Sequence, residues 1–560
     1  MIAPTPAQQK IRDHPGLDLR IVAPAGCGKT EALALRVQGI LNRGLVVAPR
    51  KVLVVTFSNR ARDNIKRRLA GYLTASQFRD RVSVVNFHGL SARIFAAHAA
   101  VVGLDPAMSI PHGDWVDDQT KARGLWFNEA AKVKATLQRI KLQPLSDDEV
   151  LRRLSESGVA EAVAIEEQRI RENRLTYDDL PRLAELILNN EAVSNLYNQH
   201  FGAVIVDEFQ DLTPQQLRIV NSIGFMRTTY AGDLAQGIYG FAGARPAEID
   251  ASIKAECSAE MVFNDSHRSS PAVLEALNAL APRTGGHLLT SAQPDSWPSR
   301  GLAGRVRFDN VRSEAAWTVS FVRSVMQRAP NQRVGIISRT ASRRRFVDEA
   351  LQQSDLQVYR WDDGVLDTDA ANHMKAALSQ LDSDAVLRNP SPLEYLRHAV
   401  GLEGVQEVNT REALMSATSW CLDLLIQGEH TSDIRKRIRV GDETTLLTAP
   451  GAHLLTGHVG KGQQFDWVWI VGTEQGVLPF FKSTTEAELA EEARVLAVMI
   501  SRARHGAVIT HTDVVPTLAG NSRRSEPSEF LGDLNKLCLP NMDQIKDWFR
   551  SADWDAIAKR

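Results

Sequence analysis

The stretch Ile21-Val-Ala-Pro-Ala-Gly-Cys-Gly-Lys-Thr30 constrains this chain more than any other: an apolar strand runs into a glycine loop and then into a helix opening at Glu31. Gly26 and Gly28 allow backbone conformations that side chains resist. Successive N–H groups of the loop, which Ala23, Pro24 and Ala25 open, can then point inward at the β-phosphate, on the positive end of the following helix. Lys29 reaches the β- and γ-phosphates, and the Thr30 hydroxyl is a ligand for Mg²⁺. The competing reading is a plain strand-turn-helix corner whose glycines serve geometry alone; Lys followed by Thr at this offset argues against it.

A nucleotide site of this kind sits in an α/β fold, and the pattern agrees. Short β-branched runs at Leu19–Val22, Val52–Thr56 and Val82–Val85 alternate with helical stretches, which predicts a parallel sheet covered by helices. From about 96 to 176 the pattern turns helical and charged, and strand character returns at Ala203–Val206. Thr213-Pro-Gln-Gln216 has the form of a helix N-terminus, with Thr213 as cap, Pro214 in the first turn and Gln216 reaching back. A second α/β unit starts near 265, with Ser270-Pro271 opening a helix and strands expected at Val306–Phe308 and Val334–Ile337. It is interrupted by a helical, polar stretch from about 357 to 443, after which strand character resumes at Leu446, Val468–Val471 and Ala507–Ile509. Met542 to Ala558 has the pattern of one amphipathic helix, packed by Trp548, Phe549 and Trp554.

The 560 residues exceed what one core sustains, so several compact units are expected. With 43% hydrophobic and 24% charged residues, and no apolar run near the ~20 residues of a membrane span, the expectation is a soluble, cytoplasmic protein without a membrane partner. Cys27, Cys257, Cys421 and Cys538 are too scattered for a zinc knuckle or a disulfide framework. The net charge of −1 excludes a generally basic surface. Any nucleic-acid contact must therefore be local, and Arg60 to Arg68, Arg339 to Arg345 and Arg435 to Arg439 are the candidates, although on charge alone each reads more readily as a solvated face.

Val204-Ile-Val-Asp-Glu-Phe-Gln-Asp211 is the second informative stretch. An apolar strand delivers Asp207 and Glu208 at its end, where a phosphate loop needs them: Asp207 for Mg²⁺, directly or through water, and Glu208 to orient and deprotonate the attacking water. Alone, the pair is equally a helix start with favourable dipole placement.

Taken with further motifs in order, the chain resembles superfamily 1 DNA helicases of the UvrD, Rep and PcrA type, from Gln8 to about Leu531. Thr5-Pro-Ala-Gln8 resembles the adenine-reading glutamine motif. Val55-Thr-Phe-Ser-Asn59 and Asn86-Phe-His-Gly-Leu90 resemble strand-binding motifs. Gly232-Asp-Leu-Ala-Gln-Gly-Ile-Tyr-Gly-Phe-Ala-Gly-Ala244 resembles the motif joining hydrolysis to base contact. Ser266-His-Arg-Ser269, Thr456-Gly-His-Val-Gly-Lys-Gly-Gln-Gln-Phe-Asp466, and Glu491-Glu-Ala-Arg-Val-Leu through Ser501-Arg-Ala503 resemble those of the second half.

The resemblance implies two RecA-like parallel-sheet domains (1–95 with 177–264, and 265–356 with 444–560), each carrying a mainly helical insertion (96–176 and a reduced 357–443). It implies ATP and Mg²⁺, with Lys29, Glu208, Gln236, Arg268 and the finger Arg502 in hydrolysis. The nucleotide is lined by Gln8, residues 23–31, His267 and Gln464, and the metal is held by Thr30 and Asp207. Strand contacts fall at Thr56, Phe57, Asn59, His88, Tyr239, Phe241 and His458, with stacking principally on Phe57 and Phe241. The partner is single-stranded or tailed DNA, traversed 3′ to 5′. Four positions depart from the family pattern: His267 for tyrosine, Ala242 for arginine, Gln464 for glutamate and Ala497 for tyrosine. These imply an active ATPase with weaker coupling to unwinding. The short chain also resembles helicase-like subunits encoded beside nucleases in antiphage systems such as Gabija, so a rival function is an ATP-switched DNA-end sensor acting with a nuclease or repair partner. A vestigial nucleotide module is the third reading.

Overall fold

The computed structural model describes residues 4–109, 115–240, 243–361, 365–366, 368–405, 408–426, 428–440, 449–459, 461–516, 522–535 and 541–560. The strands Leu19–Val22 (β1), Lys51–Thr56 (β2), Val82–Asn86 (β3), Phe201–Asp207 (β4), Thr228–Gly232 (β5) and Glu260–Val262 (β6) form one sheet in the order β3-β2-β4-β5-β1-β6. All pairings are parallel. Five of these strands, β1 to β5, are buried on both faces or nearly so, and β1 to β4 accordingly read as β-branched runs rather than as alternating patterns. β5 escaped the sequence reading because Thr228-Thr-Tyr-Ala-Gly232 has no such run, although every residue of it is buried.

A second sheet, also wholly parallel, has the order Val358–Arg360, Gly451–Thr456, Arg333–Ser338, Phe465–Val471, Ala503–Thr512, Leu302–Phe308. The strand expected around Leu446 lies outside the described residues; the strand that enters the sheet there starts at Gly451. Two such sheets with helices on their faces define the α/β class expected for paired RecA-like domains. Helices between 115 and 171 enclose a small core of their own, including Trp115, Val133, Leu137, Val150 and Ile165. Helices between 368 and 437 do the same around Met374, Leu396, Leu414 and Ile434.

The C-terminal segment folds as two helices, Met542–Ser551 and Trp554–Lys559, rather than one. Asp553 caps the second by accepting from the Ala556 N–H, which competes with helix continuation. Both pack on the second sheet, where Trp467 meets Trp548, Phe549 and Trp554 at 5.4–6.0 Å between ring centres. Among the described residues no helix is long and apolar enough to cross a membrane. Cys27, Cys257 and Cys421 are free thiols, and Cys538 lies outside the described residues.

Buried charge fixes the second lobe. Arg343 donates to Glu314 at 2.8 Å and to Glu474 at 2.7 and 3.0 Å, all three side chains at most 3% exposed. Removing one partner of such a cluster strands the others without solvent. Arg343→Met is therefore expected to lower the stability of this lobe by about 3–5 kcal/mol in urea unfolding followed by the fluorescence of Trp467 and Trp469. A loss below about 1 kcal/mol would contradict the assignment.

Candidate functional site: a nucleotide cleft closed by two lobes

The glycine loop leaves β1 at the carboxyl edge of the first sheet, where open parallel sheets bind ligands. Gly26 and Gly28 have φ of +85° and +79°, and the helix Lys29–Asn42 begins directly after them. Neither position accepts a side chain: a Cβ at Gly26 would lie 2.5 Å from the Arg268 Cβ, and one at Gly28 would lie 2.7 Å from the Gln8 amide nitrogen. The loop is thus pressed against the second half of the chain. The His267 N–H donates to the Gly26 carbonyl at 3.0 Å.

Opposite the loop, β4 ends in Asp207. Lys29 Nζ lies 2.9 Å from Asp207 and 2.5 Å from Glu208, and these two carboxylates keep it charged against the cost of burial. Glu208 adopts φ +57°, a left-handed conformation costing about 1–3 kcal/mol for a residue with a side chain. It turns the carboxylate into the cleft, where Gln210 Nε2 donates to it at 2.6 Å. Burial alone would raise its pKa, but Lys29 and Lys461 outweigh burial and hold it down at about 2.

Arginines of the second lobe complete the cleft. Arg502 is 2% exposed, donates to the Gln463 and Val498 carbonyls and to Ser501, and reaches Gln236 Oε1 of the first lobe at 3.4 Å. Arg268 donates to Gln464 at 2.7 and 3.2 Å when that amide presents its oxygen. Neither guanidinium forms an ion pair among the described residues. Burial lowers the pKa of Arg502 to about 9, with adjacent Arg268 adding to the effect, and burial lowers that of Arg268 to about 10. Two cations without carboxylates, Arg502 buried and Arg268 half-buried, call for an anion.

These groups line one cavity of about 1060 Å³, together with Thr30, Phe57, Arg67, Arg68, Tyr239, His267, Arg333, Asp466 and Arg504. Eight lysines and arginines face it against five carboxylates, a balance suited to a polyanion. Loop, helix N-terminus, facing Thr30 and Asp207, and two arginines without a carboxylate partner among the described residues together fit a nucleoside triphosphate with a divalent cation. No group of three or more His, Cys, Asp or Glu among the described residues could hold a metal on its own.

Several expected contacts are placed differently. Thr56 is fully buried and its hydroxyl donates to the Ser58 carbonyl at 3.2 Å, so it shapes the β2 end and cannot touch a strand. The Cys27 side chain is buried in the first core and its N–H donates to the Pro24 carbonyl at 3.2 Å, so it shapes the loop. Glu31 is engaged by Tyr72 and Arg68. Gln8 accepts from the Thr5 N–H at 2.9 Å and donates to the Gly28 carbonyl at 3.3 Å, which ties it to the phosphate loop. Asn59 accepts from Asn86 at 2.7 Å. His88 packs on Tyr177 at 4.8 Å, and His458 is half-buried; burial lowers both to about 4, so both are neutral. Phe57 and Tyr239 stack on each other, 5.3 Å apart at 14°, on the cleft wall. Phe241 and Ala242 lie outside the described residues.

The basic run 339–345 is not a strand-facing patch. Arg343 and Arg344 are buried in ion pairs and Arg339 is bidentate to Glu492. By contrast, Arg67 and Arg68 of the first run face the cleft. Sequence reasoning missed Lys461, whose ammonium bonds Asp211 at 2.6 and 2.7 Å and the Gln236 carbonyl at 2.7 Å, across the lobes. Its signal was its place inside a quoted motif, but no spacing rule announces a partner 250 residues away.

The fold and cleft define a two-lobed nucleoside triphosphatase, with the phosphate loop on one lobe and arginines on the other. Two family models match the chain: the UvrD/REP helicase N-terminal domain over residues 4–255 and the UvrD-like helicase C-terminal domain over 434–513. The chain is 25% identical over 563 residues to the ATP-dependent DNA helicase UvrD2 of Mycobacterium tuberculosis, covering 92% of this chain and 79% of that one. It is 23% identical over 635 residues to the ATP-dependent DNA helicase PcrA of Staphylococcus aureus, covering 93% and 85%. The chain belongs to the UvrD/Rep/PcrA family of ATP-hydrolysing DNA helicases.

Proposed function

We propose that this chain is a Mg²⁺- and ATP-dependent motor on single-stranded DNA, moving 3′ to 5′ as the family resemblance implies. The observation that carries the reading is the meeting of Lys29 and Glu208 with Arg268 and Arg502 around one cavity, although they come from different sheets. Thr30 and Asp207 would hold Mg²⁺, which when bound would neutralise charge on the phosphates. Glu208 orients and deprotonates water, while Gln236, held between Asp233 at 2.8 Å and Arg502 at 3.4 Å, senses the terminal phosphate. Arg268 and Arg502 stabilise charge developing on the transferring phosphoryl group, so ATP-driven lobe closure precedes hydrolysis and is needed for it.

The domain reading goes with this: two RecA-like lobes do the chemistry, and the helical segments with separate cores serve as accessory subdomains. DNA crosses the lobes near the Phe57–Tyr239 pair, because aromatic stacking tolerates any sequence at roughly 1–3 kcal/mol per base. Phe57→Ala is expected to weaken single-strand binding by about fivefold or more in fluorescence anisotropy, with nucleotide affinity little changed. Unaltered strand affinity would remove the pair from the DNA path.

The deciding experiment is ATP turnover with and without single-stranded DNA, followed by strand displacement on 3′- and 5′-tailed duplexes. Stimulated turnover with displacement of 3′-tailed substrate is expected. Stimulation without displacement would favour the ATP-switched sensor working with a nuclease, and no stimulation would refute both.

A further inference from the structure

The segment 236–240 belongs to the first lobe by sequence but is held by the second. Ile238 is fully buried in the core of the second lobe, beside Val273, Leu478 and Val498. Helix Glu486–Ile500 of that lobe grips the backbone on either side of it. Glu491 Oε1 accepts from the Gly240 N–H at 2.9 Å, and Arg494, one turn on, donates to the Gly237 carbonyl at 3.4 Å. Lys461 adds its bond to the Gln236 carbonyl and lies 4.6 Å over the Tyr239 ring. Glu491 fills the space in front of Gly240, so a Cβ there would overlap its carboxylate.

Phe57, the other member of the stack, follows β2 and stays with the first lobe. The Phe57–Tyr239 pair is therefore an inter-lobe contact. From this geometry we infer that Glu491 is a positioning residue that makes Tyr239 travel with the second lobe, so that nucleotide-driven closure shifts Tyr239 against Phe57 and changes the hold on the DNA strand. The inference rests on the motor reading above. It extends that reading by locating the coupling in Glu491, which does not line the large nucleotide cavity.

The test uses the full chain with Glu491→Ala, Glu491→Gln and, from the other side of the contact, Gly240→Ala. Basal ATP turnover, turnover with saturating single-stranded DNA, and strand affinity with ADP and with a non-hydrolysable ATP analogue are measured. Glu491→Ala is expected to keep basal turnover within about twofold and to lose at least fivefold of the DNA stimulation. The ratio of strand affinities in the two nucleotide states should collapse toward one. Glu491→Gln, whose amide oxygen still accepts from Gly240, should restore most of both, and Gly240→Ala should behave like Glu491→Ala. Full stimulation and an unchanged affinity ratio in Glu491→Ala would overturn the inference, as would Glu491→Gln failing as badly as alanine. Unmutated protein whose hydrolysis ignores DNA would instead refute the motor reading, and the inference with it.

Discussion

Arg502→Ala is expected to lower the ATP turnover number by about 10³–10⁵ at saturating ATP and DNA, while leaving measurable nucleotide binding. The size of the effect follows from placement. Arg502 is buried, bonded to carbonyls, a hydroxyl and Gln236, and has no carboxylate among the described residues to neutralise it. Its charge is available only to an anion in the cleft. A donor aimed where charge develops contributes most when water is excluded. Arg502→Lys keeps the charge but not the planar fork, so it should recover only part of the rate. Steady-state hydrolysis by the two variants checks this. A loss under tenfold in the alanine variant would mean that Arg502 supports the strand end rather than the reaction.

Glu208→Gln should abolish hydrolysis to about 10²–10⁴ below the unmutated rate while ATP affinity stays within a few-fold. The substitution keeps size and shape at a strained left-handed position and retains an oxygen for Gln210. What it removes is the ionised carboxylate that accepts the proton of water. Lys29 keeps Asp207 as a partner, so the loop is not released. Single-turnover hydrolysis beside equilibrium binding of a fluorescent ATP analogue separates the two effects. Normal turnover in Glu208→Gln would remove the general-base assignment.

Much of this was legible from local chemistry. The loop at 26–30 and the acidic strand end at 207–208 declare themselves because strand, turn and helix must alternate there, and the residues that do chemistry lie inside those patterns. The two sheets were legible where strands are long and apolar, as at Phe465–Val471, and illegible where they are short or rich in threonine and glycine, as at Thr228–Gly232. Sequence also cannot show which polar side chains are already engaged. Thr56 carries a hydroxyl suited to a phosphate contact, yet the turn after β2 uses it. Arg343 and Arg344 look like a nucleic-acid patch until burial places them among carboxylates. Lys461 and Glu491 act across the lobes, and long-range partners leave no periodicity to read.

The central claim is that one ATP is gripped from both lobes and that the grip closes the cleft. It is tested most directly by the distance between spin labels at Arg79 and Arg550, whose side chains are 75% and 74% exposed, in the Glu208→Gln protein. ATP with Mg²⁺ is expected to shift that distance to a closed population, and the further change Arg502→Ala should prevent the shift. A distance that ignores ATP, or one that shifts equally without Arg502, would contradict the account.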